Sequence, residues 1–409
     1  MNCRTIDKIF KDTAYVKFAG TEGEKRCAEY ITELCRKIGL TAQSESFTFN
    51  TFKVSTERLT VDNEDFDCRG YLGAPNGSVS GKLYFLRSTD AIALKNCKDK
   101  IVLTEKPFNS KLYYNLVQNG AKGVITFSGN VNFPDNDIDV RRIGFSVEPQ
   151  NAIPAVIVNI KSALKLIKKQ GKQCSICLEQ SEYQATSQNI VLDIAGESKK
   201  QIIVTAHYDT TALSIGAYDN MSGAVALLYM AEYFSKNAPK FSIRLVWCGS
   251  EEQGLLGSLE YCQKHKDELN SAIINVNLDM IGSVMGEFTA FSCADEKMEE
   301  YLGRFLKRHR FIGVAKHQIR SSDSNSFIYH GVPAVSFARY APPSLAQIHT
   351  RYDTDQILSA ESMLTDMKII TAFIEDLQKD YEAISPIKIS EKIKNEVENY
   401  FQSRLTLKG

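Results

Sequence analysis

The sequence lacks an excess of charge of either sign. Its 409 residues include 49 lysines and arginines against 49 aspartates and glutamates. A strong field of one sign is what draws a protein to nucleic acid or to an anionic membrane surface. We therefore expect neither nucleic acid nor a membrane as a partner.

Long uncharged apolar runs are also missing. No stretch approaches the roughly 20 apolar residues that a helix needs to cross a bilayer. The first segment, MNCRTIDKIFKDTAYVKFAG, contains no apolar core of signal-peptide length. The sequence as given thus predicts a cytoplasmic protein, and a secreted one only if a leader is missing from it.

The ten cysteines form no framework of regular spacings. We interpret them as free thiols of a reducing compartment, several of them small core residues. Cys174 and Cys177, in QCSIC, have the spacing of a redox or zinc half-site. No second pair accompanies them, so a structural role is the favoured interpretation.

Histidine is absent from the first half of the chain, since all six lie at position 207 or later. Residues 56–184 instead contain short strand-like runs (KLYFL, KIVLTE, GVITFS and AVIVNI), with helical segments at 110–119 and 161–170. This segment is a poor place for a metal site.

The region from residue 189 onward predicts a different architecture. Five short apolar runs (NIVLDI, QIIVTA, IRLVWC, IINVNL and AVSFA) alternate with helical patterns at 220–236, 253–269, 295–310 and 359–380. Buried strands alternating with helices are typical of an α/β fold, with a mainly parallel central sheet sandwiched by helices.

The amphipathic helix predicted at 22–38 needs that sheet to cover its apolar stripe. A chain of this length exceeds one ordinary core. We therefore predict a discontinuous main domain of residues 1–55 and 185–409, with a smaller β/α domain inserted at 56–184.

Polar residues follow the predicted strands at the ends where α/β sheets bind ligands. These positions are His207 and Asp209, then Asp219 in the next loop, Glu251 and Glu252, Asp279, and finally His349. Imidazole and carboxylate groups converging on one sheet edge suit a metal centre.

Zinc takes such nitrogen and oxygen ligands, and two zinc ions held close together need a carboxylate that bridges them. Asp219, in a turn with small neighbours, is the expected bridge. His207 and Asp279 would complete one site, and Glu252 and His349 the other. The prediction is two zinc ions per chain.

Glu251 is left for general-base catalysis, because neighbouring extended residues point in different directions. It would take the proton of a water held between the ions. Asp209 would accept the second N–H of His207 and fix its tautomer. Asp353 could do the same near His349.

The ordered motifs AHYDT, GAYDNMSGAVALL, GSEEQGLLGS, NLDMIG and IHTRYDT resemble the co-catalytic di-zinc aminopeptidases, such as bacterial leucyl aminopeptidases and aminopeptidase Y. FAGTEGEKRCAEYITELCRKIGL is similar to the amino-terminal segment of that family, so the resemblance covers roughly 1–54 and 185–381. It implies a zinc exopeptidase fold, the same five ligands, Glu251 as base and Asp209 as support. The insertion resembles a protease-associated (PA) domain.

The resemblance implies a zinc-dependent aminopeptidase that acts on peptides with a free amino terminus. The sequence departs from the family where Ser322-Asp323-Ser324 replaces Ser-Asp-His, and where Arg320 stands in place of a tyrosine of some relatives. This arginine could stabilise an oxyanion, hold a substrate carboxylate, or be a plain surface residue.

Three alternatives stay open at this point. A carboxypeptidase of the same family could grip a terminal carboxylate with Arg320 or Arg339. A glutaminyl-peptide cyclotransferase would use similar ligands with one zinc. A non-catalytic binding scaffold, as in transferrin receptor, normally loses ligands that this chain retains.

Overall fold

The computed structural model describes residues 1–144 and 153–405, with side chains as far as residue 402. It divides into two compact units: Met1–Phe49 with Thr186–Glu398, and Asn50–Ala185 with the residues from Asn399 onward. The second unit begins at Asn50, and both this residue and the predicted boundary at residue 56 lie within one continuous strand (Gln43–Val61).

The elements are numbered along the chain. The helices are α1 (Cys3–Asp12), α2 (Glu22–Lys37), α3 (Ala91–Lys95), α4 (Ser110–Gln118), α5 (Ile160–Lys168), α6 (Ser222–Lys236), α7 (Leu256–Lys264), α8 (Glu296–Arg308), α9 (Ser324–Tyr329), α10 (Ala360–Ile384) and α11 (Glu391–Leu405). The strands are β1 (Gln43–Val61), β2 (Glu64–Phe66), β3 (Arg69–Gly70), β4 (Gly77–Leu86), β5 (Lys100–Thr104), β6 (Gly123–Ser128), β7 (Ala155–Asn159), β8 (Gln173–Ile194), β9 (Ser198–His207), β10 (Phe241–Cys248), β11 (Ala272–Leu278), β12 (Glu287–Cys293), β13 (Val314–His317) and β14 (Ala334–Tyr340).

The first unit is built on a sheet with the strand order β13-β12-β14-β11-β9-β10-β8. The pairs β13/β12, β14/β11, β11/β9 and β9/β10 are parallel, whereas β12/β14 and β10/β8 are antiparallel. The predicted mainly parallel α/β sheet is therefore confirmed.

Helices cover both faces of this sheet. Alternate residues of β9 point to opposite sides, as strand geometry requires. Ile202 and Val204 pack in the large core that contains buried residues of α1, α2, α6, α8 and α10. Ile203 packs with residues of α7 and α9 on the other side. The sandwich expected from the sequence is present.

Helix α2 shows how the sequence fixes such packing. Cys27, Ala28 and Ile31 repeat at helical spacing and are buried. The helix ends before Gly39, which adopts a left-handed φ of 83°. Glu24 lies on the same buried stripe and is 1% exposed, an unusual position for a carboxylate.

In the second unit, β4, β5, β6 and β7 are parallel neighbours. Val102 of β5 packs with residues of α4, and Ile101 and Leu103 pack with residues of α5 on the opposite face. Strands and helices thus lie where the runs in 56–184 predicted them. Its identity as a protease-associated domain stays a prediction.

Two chain-wide features complete the description. All ten cysteines are free thiols. Among the residues that the structure describes, none of the helices combines the length and apolar character needed to cross a bilayer.

Candidate metal centre

Four neighbouring parallel strands bring the predicted site residues to one edge of the sheet. β9 ends at His207, and β11 ends one residue before Asp279. The chain leaves β10 toward Glu251 and Glu252, and leaves β14 toward the loop that carries His349. Because β10, β9, β11 and β14 run parallel in that order, their carboxyl ends meet.

Two triads of side chains form at this edge, and they share Asp219. In the first, Nε2 of His207 lies 3.2 Å from Oδ1 of Asp219 and 3.7 Å from Oδ1 of Asp279. In the second, Nε2 of His349 lies 3.1 Å from both Oδ2 of Asp219 and Oε1 of Glu252. Each triad places its ligand atoms within 4.8 Å of one another, close enough to hold a metal ion.

Several of these polar atoms have no hydrogen bond although they are buried. Within the described residues, Oδ1 of Asp279 and Nδ1 of His207 have no hydrogen-bond partner. A buried carboxylate oxygen without a donor is costly unless a cation compensates it. Since imidazole nitrogen and carboxylate oxygen are also zinc's ligands, the residues fit this metal.

The electrostatics of the triads point the same way. Burial alone would lower the pKa of His349, but Asp219 and Glu252 raise it to about 11. The pKa of His207 is likewise raised well above its usual value, against the effect of burial, with Glu251 the largest positive influence. The carboxylates therefore favour positive charge between them, which divalent cations supply.

A tight turn brings Asp219 into the centre. Gly216 has a φ of 55°, in the left-handed region that favours glycine. A Cβ atom there would lie 2.3 Å from Cγ2 of Thr210 and 2.5 Å from the carbonyl oxygen of Asp219. The close approach of the turn thus requires glycine at this position, one of the small neighbours noted in the sequence.

Asp353 holds the backbone of this turn through hydrogen bonds. Its carboxylate accepts hydrogen bonds from the amide of Tyr218 at 2.9 Å and from the amide of Asp219 at 3.3 Å. The sequence suggested Asp353 as a partner of His349. The described hydrogen bonds instead connect Asp353 to the backbone beneath the shared ligand.

Asp209 makes an equivalent contact with the glutamate pair. It is fully buried, and it accepts hydrogen bonds from the amides of Glu251 at 2.9 Å and Glu252 at 3.1 Å. Its distance to Nδ1 of His207 is 3.6 Å, longer than a hydrogen bond. Asp209 thus supports the glutamates directly and the imidazole by charge.

The glutamate pair does not have the extended backbone assumed from the sequence. Residues Glu251–Gln253 form one 3-10 turn after Ser250, whose φ is 55°. Successive side chains of such a turn still point about 120° apart, because it has 3.0 residues per turn. Glu252 therefore joins a triad while Glu251 does not. Burial raises the pKa of Glu251, and Glu252 raises it further while His207 lowers it.

Glu24, which the sequence argument missed, holds the residue before this pair. Its Oε1 accepts hydrogen bonds from the amide of Ser250 at 3.0 Å and from the hydroxyl of Ser187 at 2.7 Å. A Cβ atom on Gly249 would lie 2.9 Å from the same oxygen, so only glycine fits easily. A glutamate on the apolar stripe of α2 was the available sequence signal.

Ser322 is another contact that was not predicted. Its hydroxyl donates to Oδ2 of Asp279 at 2.6 Å and accepts from Nδ2 of Asn277 at 2.7 Å. The next residue, Asp323, is fully buried, and burial raises its pKa to about 6. The segment that departs from the family motif therefore touches a predicted ligand.

The four remaining histidines lie outside the two triads and have other partners. Their contacts are His265 with Glu45 and Glu268, His309 with Asp376, His317 with Glu296, and His330 with the carbonyl of Ser326.

Comparison with known proteins identifies the region that carries this centre. Residues 189–374 match the sequence profile of Peptidase family M28. Aminopeptidase YwaD of Bacillus subtilis (strain 168) is 25% identical to the chain, over 93% of this chain and 84% of that protein. The probable lipoprotein aminopeptidase LpqL of Mycobacterium tuberculosis is 25% identical to the chain. That match covers 64% of this chain and 54% of LpqL, so the chain spans about half the length of that protein.

Among solved structures, BSAP, a zinc aminopeptidase from Bacillus subtilis, has a similar fold. The TM-score is 0.74 at 24% sequence identity, and the match covers 95% of this chain and 97% of that one. The resemblance to aminopeptidases and the fold predicted from the sequence are both confirmed.

Proposed function

We propose that this protein, whose residues 189–374 match Peptidase family M28, uses two zinc ions to remove single residues from the amino terminus of peptides. The observation that carries the proposal is the position of Asp219. Its two oxygens face different imidazoles, His207 at 3.2 Å and His349 at 3.1 Å. A carboxylate shared between two triads is what a pair of neighbouring cations requires.

The chain's own residues have distinct roles in this proposal. His207, Asp219 and Asp279 would hold one ion, and Asp219, Glu252 and His349 would hold the other. When bound, the two zinc ions would supply Lewis acidity, which polarises the scissile carbonyl and lowers the pKa of water.

Glu251 is the proposed general base. It takes a proton from the attacking water and hands it to the departing amine. Asp209 is a positioning residue, since it fixes the backbone amide of Glu251 at 2.9 Å and faces His207 from 3.6 Å.

Exopeptidase action is supported by the names of the relatives and by charge. YwaD and BSAP are both described as aminopeptidases. The free amino terminus of a peptide is a cation, and it suits a centre rich in carboxylates. Two complete triads favour this reading over a cyclotransferase with one zinc, and an intact ligand set disfavours a non-catalytic scaffold.

The decisive experiment is a panel of aminoacyl p-nitroanilides, assayed with and without a chelator. We expect hydrolysis that is lost with chelator and restored by zinc, at two zinc ions per chain. A peptide and its N-acetylated copy then separate the alternatives. An aminopeptidase cleaves only the free form, a carboxypeptidase cleaves both, and a cyclotransferase converts an amino-terminal glutamine without cleaving the peptide.

Two further assignments belong to the proposal. The insertion at 56–184 is a protease-associated domain, which the parallel strands β4–β7 with helices on both faces support. The enzyme acts in the cytoplasm, where ten free thiols stay reduced. Fractionation of cells that express the protein tests the location.

A further inference from the structure

Arg320 is connected to the metal centre through its neighbours. It is exposed, and it stands two residues before Ser322, whose hydroxyl donates to Asp279 at 2.6 Å. Its Nε–H donates to the hydroxyl of Tyr340 at 3.2 Å. Arg320 therefore contacts the last residue of β14, one of the strands that form the edge of the site.

The end of β14 is tied directly to the loop of the shared ligand. The hydroxyl of Tyr218, the residue before Asp219, donates to the carbonyl of Arg339 at 2.7 Å. The same hydroxyl accepts from the amide of Ala341 at 3.1 Å. Tyr340 lies between these two anchored residues, so its position and that of Arg320 are fixed relative to the centre.

Aromatic rings hold the guanidinium without neutralising its charge. The guanidinium carbon of Arg320 lies 4.9 Å from the ring centroid of Tyr340 and 5.7 Å from that of Phe291. Such stacking orients an arginine and leaves its terminal N–H groups able to donate.

Arg320 and Arg339 differ in their partners. Arg339 is bound to the fully buried Asp366, with Nη2–Oδ1 at 2.6 Å and Nε–Oδ2 at 2.9 Å. Among the residues that the structure describes, no carboxylate lies within 4.0 Å of the Arg320 guanidinium. Of the two arginines that could bind a carboxylate from outside, only Arg320 is uncommitted.

The negative charge of the centre would oppose the binding of a substrate carboxylate, and an arginine nearby would offset this effect. Carboxyl groups here outnumber the four positive charges of two divalent cations; they are Asp209, Asp219, Glu251, Glu252, Asp279 and Asp323. A substrate carboxylate near the scissile bond would be repelled by them. An adjacent guanidinium offsets that repulsion and donates charge-assisted hydrogen bonds.

We propose that Arg320 forms a subsite for a carboxylate adjacent to the scissile bond. This inference rests on the proposed aminopeptidase function and names its preferred substrate class. The carboxylate belongs either to the side chain of an amino-terminal glutamate or aspartate, or to the carboxyl terminus of a dipeptide. Both sources present the same planar anion to the guanidinium.

Two pairs of nearly isosteric substrates test the subsite on the zinc-loaded enzyme. Glutamyl and glutaminyl p-nitroanilide differ only in the side-chain carboxylate, and Leu-Gly and Leu-Gly-amide differ only in the terminal one. We expect a higher kcat/KM for the carboxylate member of one pair, and that pair identifies the source. In Arg320→Gln the ratio within that pair should fall about ten- to hundredfold.

Two further variants control the experiment. Arg320→Lys keeps the charge but loses the planar fork, so it should retain part of the kcat/KM ratio between the carboxylate substrate and its neutral partner. Arg304→Gln removes an exposed arginine on α8 and should leave that kcat/KM ratio unchanged. Product inhibition by free glutamate, compared with glutamine, gives a binding readout that should weaken in Arg320→Gln.

The outcomes separate the subsite from the proposed function. If the neutral substrates are cleaved but neither pair shows a carboxylate preference, the subsite is wrong and the aminopeptidase stands. The subsite is equally wrong if Arg320→Gln keeps the wild-type ratio. If the zinc-loaded enzyme cleaves none of the four substrates, the proposed function fails and the subsite fails with it.

Discussion

The carboxylate of Asp209 accepts the backbone amides of two successive residues, Glu251 and Glu252, at 2.9 and 3.1 Å. One buried side chain therefore sets the position of both the proposed base and a proposed ligand. Asp353 does the same for Tyr218 and Asp219 at the shared ligand. The centre depends on carboxylates that hold backbone as well as on those that face a cation.

Replacing Asp209 with asparagine should impair catalysis without emptying the metal sites. The amide side chain keeps one oxygen acceptor and turns an NH₂ group toward the other backbone N–H, so the turn at Glu251 shifts. We expect kcat/KM to fall about 10- to 100-fold while metal analysis still finds two zinc ions per chain. Asp7→Asn, a surface change on α1, is the control. Full activity in Asp209→Asn would rule out a positioning role.

The sequence could predict those residues that follow strands. His207 and Asp279 lie at strand ends, and Asp219, Glu252 and His349 lie in the loops that follow strands, so the order of strands in the sequence predicts that they gather at one edge. Strand β9 and helix α2 were also readable from the sequence. Strand β9 contains a continuous apolar run, as expected of a strand buried on both faces, and the apolar period of α2 reports the face that is covered.

Other contacts could not be predicted, because they join backbone groups to side chains far apart in the chain. Glu24 reaches Ser250 across 226 positions, and nothing local to either residue records the contact. The 3-10 turn at Glu251 depends on a left-handed Ser250, which is not a residue type that favours this conformation. The short elements β13 and α9 lack enough residues to show a period.

Removing Asp219 should empty both metal sites together. Asp219→Ala takes one ligand from each triad, so we expect close to no zinc per chain. Asp279→Ala removes a ligand from the first triad only, and it should retain the ion held by Glu252 and His349. Metal content is measured on dialysed protein. Two zinc ions in Asp219→Ala would exclude the shared ligand.

Glu251→Gln should separate metal binding from turnover. Glutamine is nearly isosteric but cannot accept the proton of the attacking water, so kcat should fall at least 10²- to 10⁴-fold. Zinc content should stay at two per chain, because Glu251 belongs to neither triad. Turnover at the wild-type rate would exclude Glu251 as the base.

Chelation should destabilise the folded enzyme. Without cations, the buried Oδ1 of Asp279 has no hydrogen-bond partner among the described residues. Each ion contributes roughly 2.7 kcal/mol when its free concentration is a hundred times the Kd. The thermal midpoint should therefore drop by several degrees in chelator and recover on adding zinc, and an unchanged midpoint would contradict the two-ion site.

Glu24 provides the most specific test of the backbone supports, because it lies on α2, far along the chain from the centre. Glu24→Ala leaves the buried amide of Ser250 and the hydroxyl of Ser187 without their acceptor, at a cost of about 1–3 kcal/mol for each. The folding midpoint and kcat should both fall, since the left-handed turn before Glu251 loses its anchor. Glu24→Gln keeps one oxygen acceptor, so it should restore part of both. If Glu24→Ala lowered the midpoint but left kcat and the pH profile of kcat unchanged, Glu24 would stabilise the fold without positioning the base.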